Sequence, residues 1–267
     1  MRYTGKELKC RAREAMKGNY LVPVLAAVVV ALLAFSANCI VMLLFQGNST
    51  LSLALSQLAS LICSLILSVF TAGICSMYLN IARKRSYSIQ DIFSMFHQDP
   101  DRIIVVCFVL TLINMLCSIP LYMVQGLLVQ ADTPEKLLEV FPVVFGATCL
   151  SAVLSLFVTL PFAFSYMLLV DDPQMGAGGA LRGSVSMLKG NKLRLCRLYI
   201  SFFGMGVLVA LSGFVAYIWV EAYMQATMVQ LYMELNGEFE KASQTERPVE
   251  SERSGLPIRA DDRNAEA

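Results

Sequence analysis

The sequence predicts an all-α, polytopic helical membrane protein with about six transmembrane helices in three hairpin units joined by amphipathic interfacial segments. Of its 267 residues, 57% are hydrophobic and 15% charged, and the mean hydropathy is +0.62. Soluble domains carry about 25% charged residues. Apolar runs as long as the ~20 residues needed to cross a bilayer recur along the chain. Lys and Arg gather between alternate runs, as they do on the cytoplasmic side of membrane proteins.

The first span is Leu21–Phe45, uncharged throughout. Its length and the patterned leader before it favour a signal anchor over a cleaved signal peptide, whose apolar region is about 7–15 residues. Leu53–Ala82 follows and ends at Arg83-Lys84-Arg85. The third span is Ile103–Val129, and the fourth is Val140–Val170, ended by Asp171-Asp172-Pro173. Leu193–Glu234 is about two spans long, and Ser212-Gly213 suggests a turn that divides it into Leu193–Leu211 and Phe214–Met233. The alternative is one span followed by an interfacial helix. Residues 1–20 form a basic leader, 21–236 the membrane domain, and 237–267 a disordered cytoplasmic tail, since that polar stretch has little apolar surface to bury.

Charge gives the orientation. With the N-terminus inside, six basic residues precede Leu21, four lie from Arg83 to Arg102, five from Arg182 to Arg197, and five from Lys241 onward. Only Lys136 falls on the other side, so both termini are expected to be cytoplasmic.

A short unit recurs. Met16-Lys17-Gly18-Asn19 opens the first span and Leu188-Lys189-Gly190-Asn191 opens the fifth. Asp91–Phe96 is a further short amphipathic segment before the third span, without the Lys-Gly-Asn triplet. In the leader, Thr4 and Glu7 have capping-box spacing. Leu8, Ala12, Ala15 and Met16 share one face, and five basic residues from Lys6 to Lys17 occupy the others. This is the pattern of a helix lying on a membrane surface. Gly18 suits the left-handed residue that closes a helix.

These residues carry a resemblance. The leader ending in Met16-Lys17-Gly18-Asn19, and Leu188–Lys192 followed by Leu198-Tyr199-Ile200-Ser201-Phe202, resemble the domain-of-unknown-function 975 family. So does Trp219 followed by Tyr223–Thr227 and Leu231-Tyr232. The resemblance implies a multi-pass protein of the bacterial plasma membrane, mainly in Gram-positive bacteria, and supplies no activity. The family usually has Pro-Tyr where this chain has Ala222-Tyr223, so the kink that proline implies is in doubt here.

Two sets of residues are candidate sites. Arg13, Lys17, Gly18, Asn19, Lys189, Gly190, Asn191, Lys192 and Arg194 form a lipid or headgroup contact, because juxtamembrane cations attract anionic lipid; the alternative is a helix stop with topology charge. Glu221 is the only acidic residue inside an expected span, and with Gln225 it forms an intramembrane polar site or, if the last segment is interfacial, simply meets water. The eight cysteines fall mostly in apolar runs without a CxxC pair and read as packing residues. His97 is the only histidine, and no HExxH, phosphate-binding GxxxxGK[ST] or GxSxG-type motif occurs. No enzyme activity, cofactor or metal is expected. The expected partners are membrane lipids, anionic headgroups among them, with membrane-protein partners or a homo-oligomer; a net charge of +1 gives no reason to expect nucleic acid.

Overall fold

A computed structural model describes residues 3–45, 47, 50–97, 99–129, 133–212 and 216–239. Among them the chain is all-α, with no strand. Residues 240–267 of the expected tail and Gly213 of the expected turn lie outside the described residues.

Helix α1 (Gly5–Met16) starts as its sequence dictates. The Thr4 hydroxyl accepts from the Glu7 amide at 3.4 Å, and the Glu7 carboxylate accepts from the Thr4 amide at 2.6 Å. That backbone amide holds the Glu7 carboxyl below its ordinary value. Leu8, Ala12 and Met16, one turn apart, are buried.

Helices α2 (Leu21–Leu44) and α3 (Thr50–Ala82) form the first hairpin. Pro23 sits in the first turn of α2, where its missing amide has no helical acceptor to lose. At ~1.5 Å per residue, the 33 residues of α3 extend about 50 Å, beyond a hydrocarbon core of about 30 Å. Its two halves meet different surroundings. Leu51, Leu55, Leu58, Ile62 and Ile66 are exposed, whereas Val69, Ala72, Met77, Tyr78 and Leu79 are buried. The short α4 (Asp91–Ser94) lies directly on α3 at Gly73, where a Cβ would collide with the Ile92 carbonyl. Phe70 meets Phe93 and Phe96 edge-on, at 5.6 and 4.8 Å between ring centres.

Two expected single helices are broken. Ile103–Val129 divides into α5 (Pro100–Cys117) and α6 (Ile119–Val129) at Ser118. Pro120 has no amide to offer the preceding turn and crowds its carbonyl. Val140–Val170 divides into α7 (Pro134–Thr159), a 3₁₀ turn (Leu160–Phe162) and α8 (Ser165–Asp171), with Pro161 at the break. The freed backbone groups find a partner on α9 (Ala177–Leu188): Ser184 donates to the Pro161 carbonyl at 2.8 Å and accepts from the Phe164 amide at 3.1 Å. Neighbouring side chains thus satisfy a broken helix where water cannot.

Among the described residues, four segments are long and apolar enough to cross a membrane: Leu21–Leu44, Ala54–Ala82, Pro100–Cys117 and Glu135–Asp171. Helices α10 (Lys192–Leu211) and α11 (Tyr217–Leu235), the expected fifth and sixth spans, are not among these four. Helix α11 runs unbroken through Ala222, without the kink a proline would bring, and is buried from Ala226 to Met233.

Its surroundings explain that burial. Tyr3 meets Glu234 and Phe239, Lys9 accepts from the Tyr223 hydroxyl through its carbonyl, and Tyr20 meets Trp219. Helix α1 therefore runs antiparallel along α11. Tyr3 also accepts from Arg194, Gly5 meets Leu198, and Lys9 donates to Ser201, so α1 runs parallel to the first half of α10. The leader lies between the last two helices, and Leu8, Ala12 and Met16 join their core.

Candidate functional site

The two Lys-Gly-Asn triplets adopt one local structure. Lys17 and Lys189 are extended (φ −62°, ψ 118° and φ −59°, ψ 121°), and Gly18 and Gly190 are left-handed at φ +84° and +81°. The Asn19 amide donates to the Met16 carbonyl at 2.8 Å, and the Asn191 amide to Leu188 at 3.0 Å. These are type II turns, which require φ > 0 at the third residue and therefore favour Gly. Each follows a 12-residue helix whose buried residues recur every fourth position: Leu8, Ala12 and Met16 in α1, and Ala180, Ser184 and Leu188 in α9. The segment before the third span differs, with the single-turn α4 in place of such a helix.

The grouping of site residues around these turns is only partial. Lys17, Lys189 and Lys192 are exposed, while Asn19 and Asn191 are partly covered. Arg13 lies over the Tyr223 ring at 6.0 Å. Arg194 has protein partners, bonding the Glu234 carboxylate at 2.6 Å and the Tyr3 carbonyl. No hydrogen bond or ion pair joins the two triplets among the described residues. Lys17 and Asn19 instead line a groove with the end of α3.

A second charged cluster joins helix ends. Arg83 donates to Asp171 at 2.6 Å and, through two nitrogens, to Glu238 at 3.0 and 2.5 Å. The Tyr232 hydroxyl donates to Asp171 at 2.9 Å, and the Asn236 amide to Asp171 at 3.4 Å and Glu238 at 3.3 Å. Hydrogen bonding to Glu238 first, and then to Asp171, holds the Arg83 guanidinium above its ordinary value against the opposing effect of burial. The bidentate fork suits Arg rather than Lys. The cluster ties the ends of α3, α8 and α11 together. In the sequence Arg83 and Asp171 stand at span ends, and Glu234 and Glu238 carry no local signal that sets them apart. Their charge was visible, but the pairing partner of Arg83 in Asp171 is 88 positions away.

The Glu221 carboxylate is half-buried and accepts from the Gln225 amide at 2.8 Å, one turn along α11. Tyr199 lines a cavity of about 570 Å³ with Ser64, Cys107, Thr111, Asn114 and Tyr166. An adjoining cavity of about 280 Å³ shares Ser64, Thr111 and Asn114 and adds Gln57, Ser60 and Ser118. The polar groups of α3 and α5, unremarkable in sequence, thus face one another. All eight cysteines are free, with Cys75, Cys107 and Cys117 buried.

No curated protein and no solved structure matches the chain. A family of proteins of unknown function, DUF975, matches residues 1–238. That span contains both turns, the Arg83 cluster and Glu221, and the chain belongs to the DUF975 family.

Proposed function

We propose that this chain is a non-enzymatic, multi-pass protein of the bacterial plasma membrane that organises anionic lipids or partner proteins at the cytoplasmic face. The observation that carries the reading is the placement of α1. A helix with four basic residues, capped by a fifth, Lys17, is held along α10 and α11 by its apolar face, leaving Lys6, Arg13 and Lys17 exposed. A basic amphipathic helix belongs in the headgroup region rather than in hydrocarbon. Because α11 runs beside it, α11 shares that layer, and Glu221 meets headgroups and water. Tyr217 and Trp219, both exposed, fit an interfacial position. The Tyr3 and Phe239 rings meet at 5.5 Å, which supports both termini lying on one side, as the charge distribution favours for the cytoplasm.

Native mass spectrometry of the full chain from mixed-lipid nanodiscs tests this reading. Anionic lipid should be retained over neutral lipid, and the Lys17→Ala, Lys189→Ala double variant should weaken that retention by about fivefold per charge. Equal retention of neutral lipid by the unaltered protein would remove the reading.

The adjoining polar cavities favour a second reading, a carrier of a small polar solute. Polar groups at membrane depth are costly and commonly mark such paths. In proteoliposomes, Glu221→Gln and Asn114→Leu should then abolish a flux that the unaltered protein supports. Unchanged flux in both variants would dismiss this alternative.

A further inference from the structure

The groove beside the first Lys-Gly-Asn turn has the chemistry of a phosphate site. It encloses about 650 Å³ between α1, α11 and the end of α3. Arg11, Lys17, Lys84 and Arg85 line it against one carboxylate, Glu14. None of the four cations makes an ion pair among the described residues. Arg11 is held by aromatic faces instead, 4.1 Å from the Tyr3 ring centre and 4.6 Å from that of Phe239. Glu7 and Asp171 act on Arg11 and Arg85 from outside the groove, but its own lining sets four cations against one carboxylate and so attracts an anion.

Two further observations point to a ligand. Gln230, on the groove wall, is only 4% exposed, yet its side chain makes no hydrogen bond among the described residues. Its amide is not sealed from solvent, so on the groove wall it is free to donate to an incoming oxygen. Lys84 is left-handed at φ +55°. It occupies the residue after the α3 cap, where the Arg85 amide reaches the Asn80 carbonyl at 2.9 Å and the Lys84 amide reaches Ile81 at 3.1 Å. Glycine normally fills this position of the Schellman motif. A lysine there keeps a cation in the groove at the expense of backbone strain.

We propose that this groove binds a phosphate group, carried either by an anionic lipid headgroup or by a small soluble anion. Arg11, Lys17, Lys84 and Arg85 supply the charge, and the Gln230 amide donates to a phosphate oxygen. A lipid ligand would deepen the lipid-organising reading and rest on it; a soluble ligand would not.

The full chain is tested in two settings. In neutral phosphatidylcholine nanodiscs, inorganic phosphate is titrated by calorimetry. In nanodiscs containing phosphatidylglycerol, retained anionic lipid is counted by native mass spectrometry. Lys84→Gly should weaken whichever ligand binds by about fivefold, the effect of one juxtamembrane charge. It should also raise the thermal midpoint, since Gly relieves the left-handed strain. A loss of binding in a stabilised protein is not misfolding. Gln230→Leu should weaken binding without altering its salt dependence, because no charge is lost. Arg182→Ala removes one exposed charge outside the groove and should leave binding unchanged.

Binding of phosphatidylglycerol alone, or of both ligands, supports the groove and the lipid reading together. Binding of phosphate alone supports the groove and removes the lipid reading. The proposal is overturned if neither ligand binds, if Lys84→Gly leaves binding unchanged, or if Arg182→Ala weakens it as much as Lys84→Gly. In that last case anionic lipid is held by diffuse surface charge, and the lipid-organising reading stands without the groove.

Discussion

Arg83 holds two carboxylates on different helices, and both depend on it for compensation. Replacing it with Met keeps much of its apolar stem but leaves Asp171 and Glu238 facing one another. A half-buried cluster broken this way should lose roughly 2–4 kcal/mol, because the orphaned charges keep their desolvation cost. Thermal unfolding in detergent should show Arg83→Met well below the unaltered protein. Asp171→Asn with Glu238→Gln in the same chain should recover part of the loss. A midpoint unchanged in Arg83→Met would mean that the cluster is only a surface feature. At Gly73 the constraint is steric. A methyl group there would meet the Ile92 backbone, which cannot rotate away as a side chain can. Gly73→Ala should therefore destabilise by about 1–3 kcal/mol, detected by faster proteolysis near α4; unchanged proteolysis would indicate that α4 is loosely held.

At the scale of elements, helices break beside Pro120 and Pro161 while α7 continues through Pro142, and the partner that makes a break tolerable lies elsewhere in the chain. Pro161 interrupts the segment from α7 to α8, and Ser184 of α9 bonds both sides of the interruption. Ser184 is fully buried, so its two bonds have no water to replace them. Ser184→Ala should lose about 1–3 kcal/mol, while Ser186→Ala, exposed on the same helix, should remain within about 0.5 kcal/mol of the unaltered protein. Equal midpoints for the two variants would show that the break needs no such support. The leader helix was legible from its capping box and Gly18, because a left-handed Gly after a helix is a local rule; the matching end of α9 at Gly190 came from the structure. The division of the third and fourth apolar runs was less so, since proline is tolerated in such runs when neighbours compensate.

For the whole molecule, the rings of Tyr3 and Phe239 meet at 5.5 Å, too close for a bilayer to pass between these two residues. Compartment-specific reporters fused at each end should give the same response, on the cytoplasmic side; opposite responses would contradict both the contact and the charge distribution. The four long apolar segments among the described residues meet this condition as well as six spans do.

The sequence by itself determined the helical class, the apolar segments, the first capping box and the left-handed Gly18 that closes the leader helix. Each depends on composition or on residues within a turn of one another. Only the tertiary structure decided that α1 lies between α10 and α11, that Arg83 joins three helix ends, and that Arg11, Lys17, Lys84, Arg85 and Gln230 share one groove. Hydropathy treats Leu193–Glu234 as membrane-length chain, yet α11 is buried by protein neighbours rather than covered by exposed apolar residues alone. Burial against another helix and burial in lipid both favour apolar side chains, so a one-dimensional pattern cannot separate them. The contacts that separate them are formed by residues far apart in the chain.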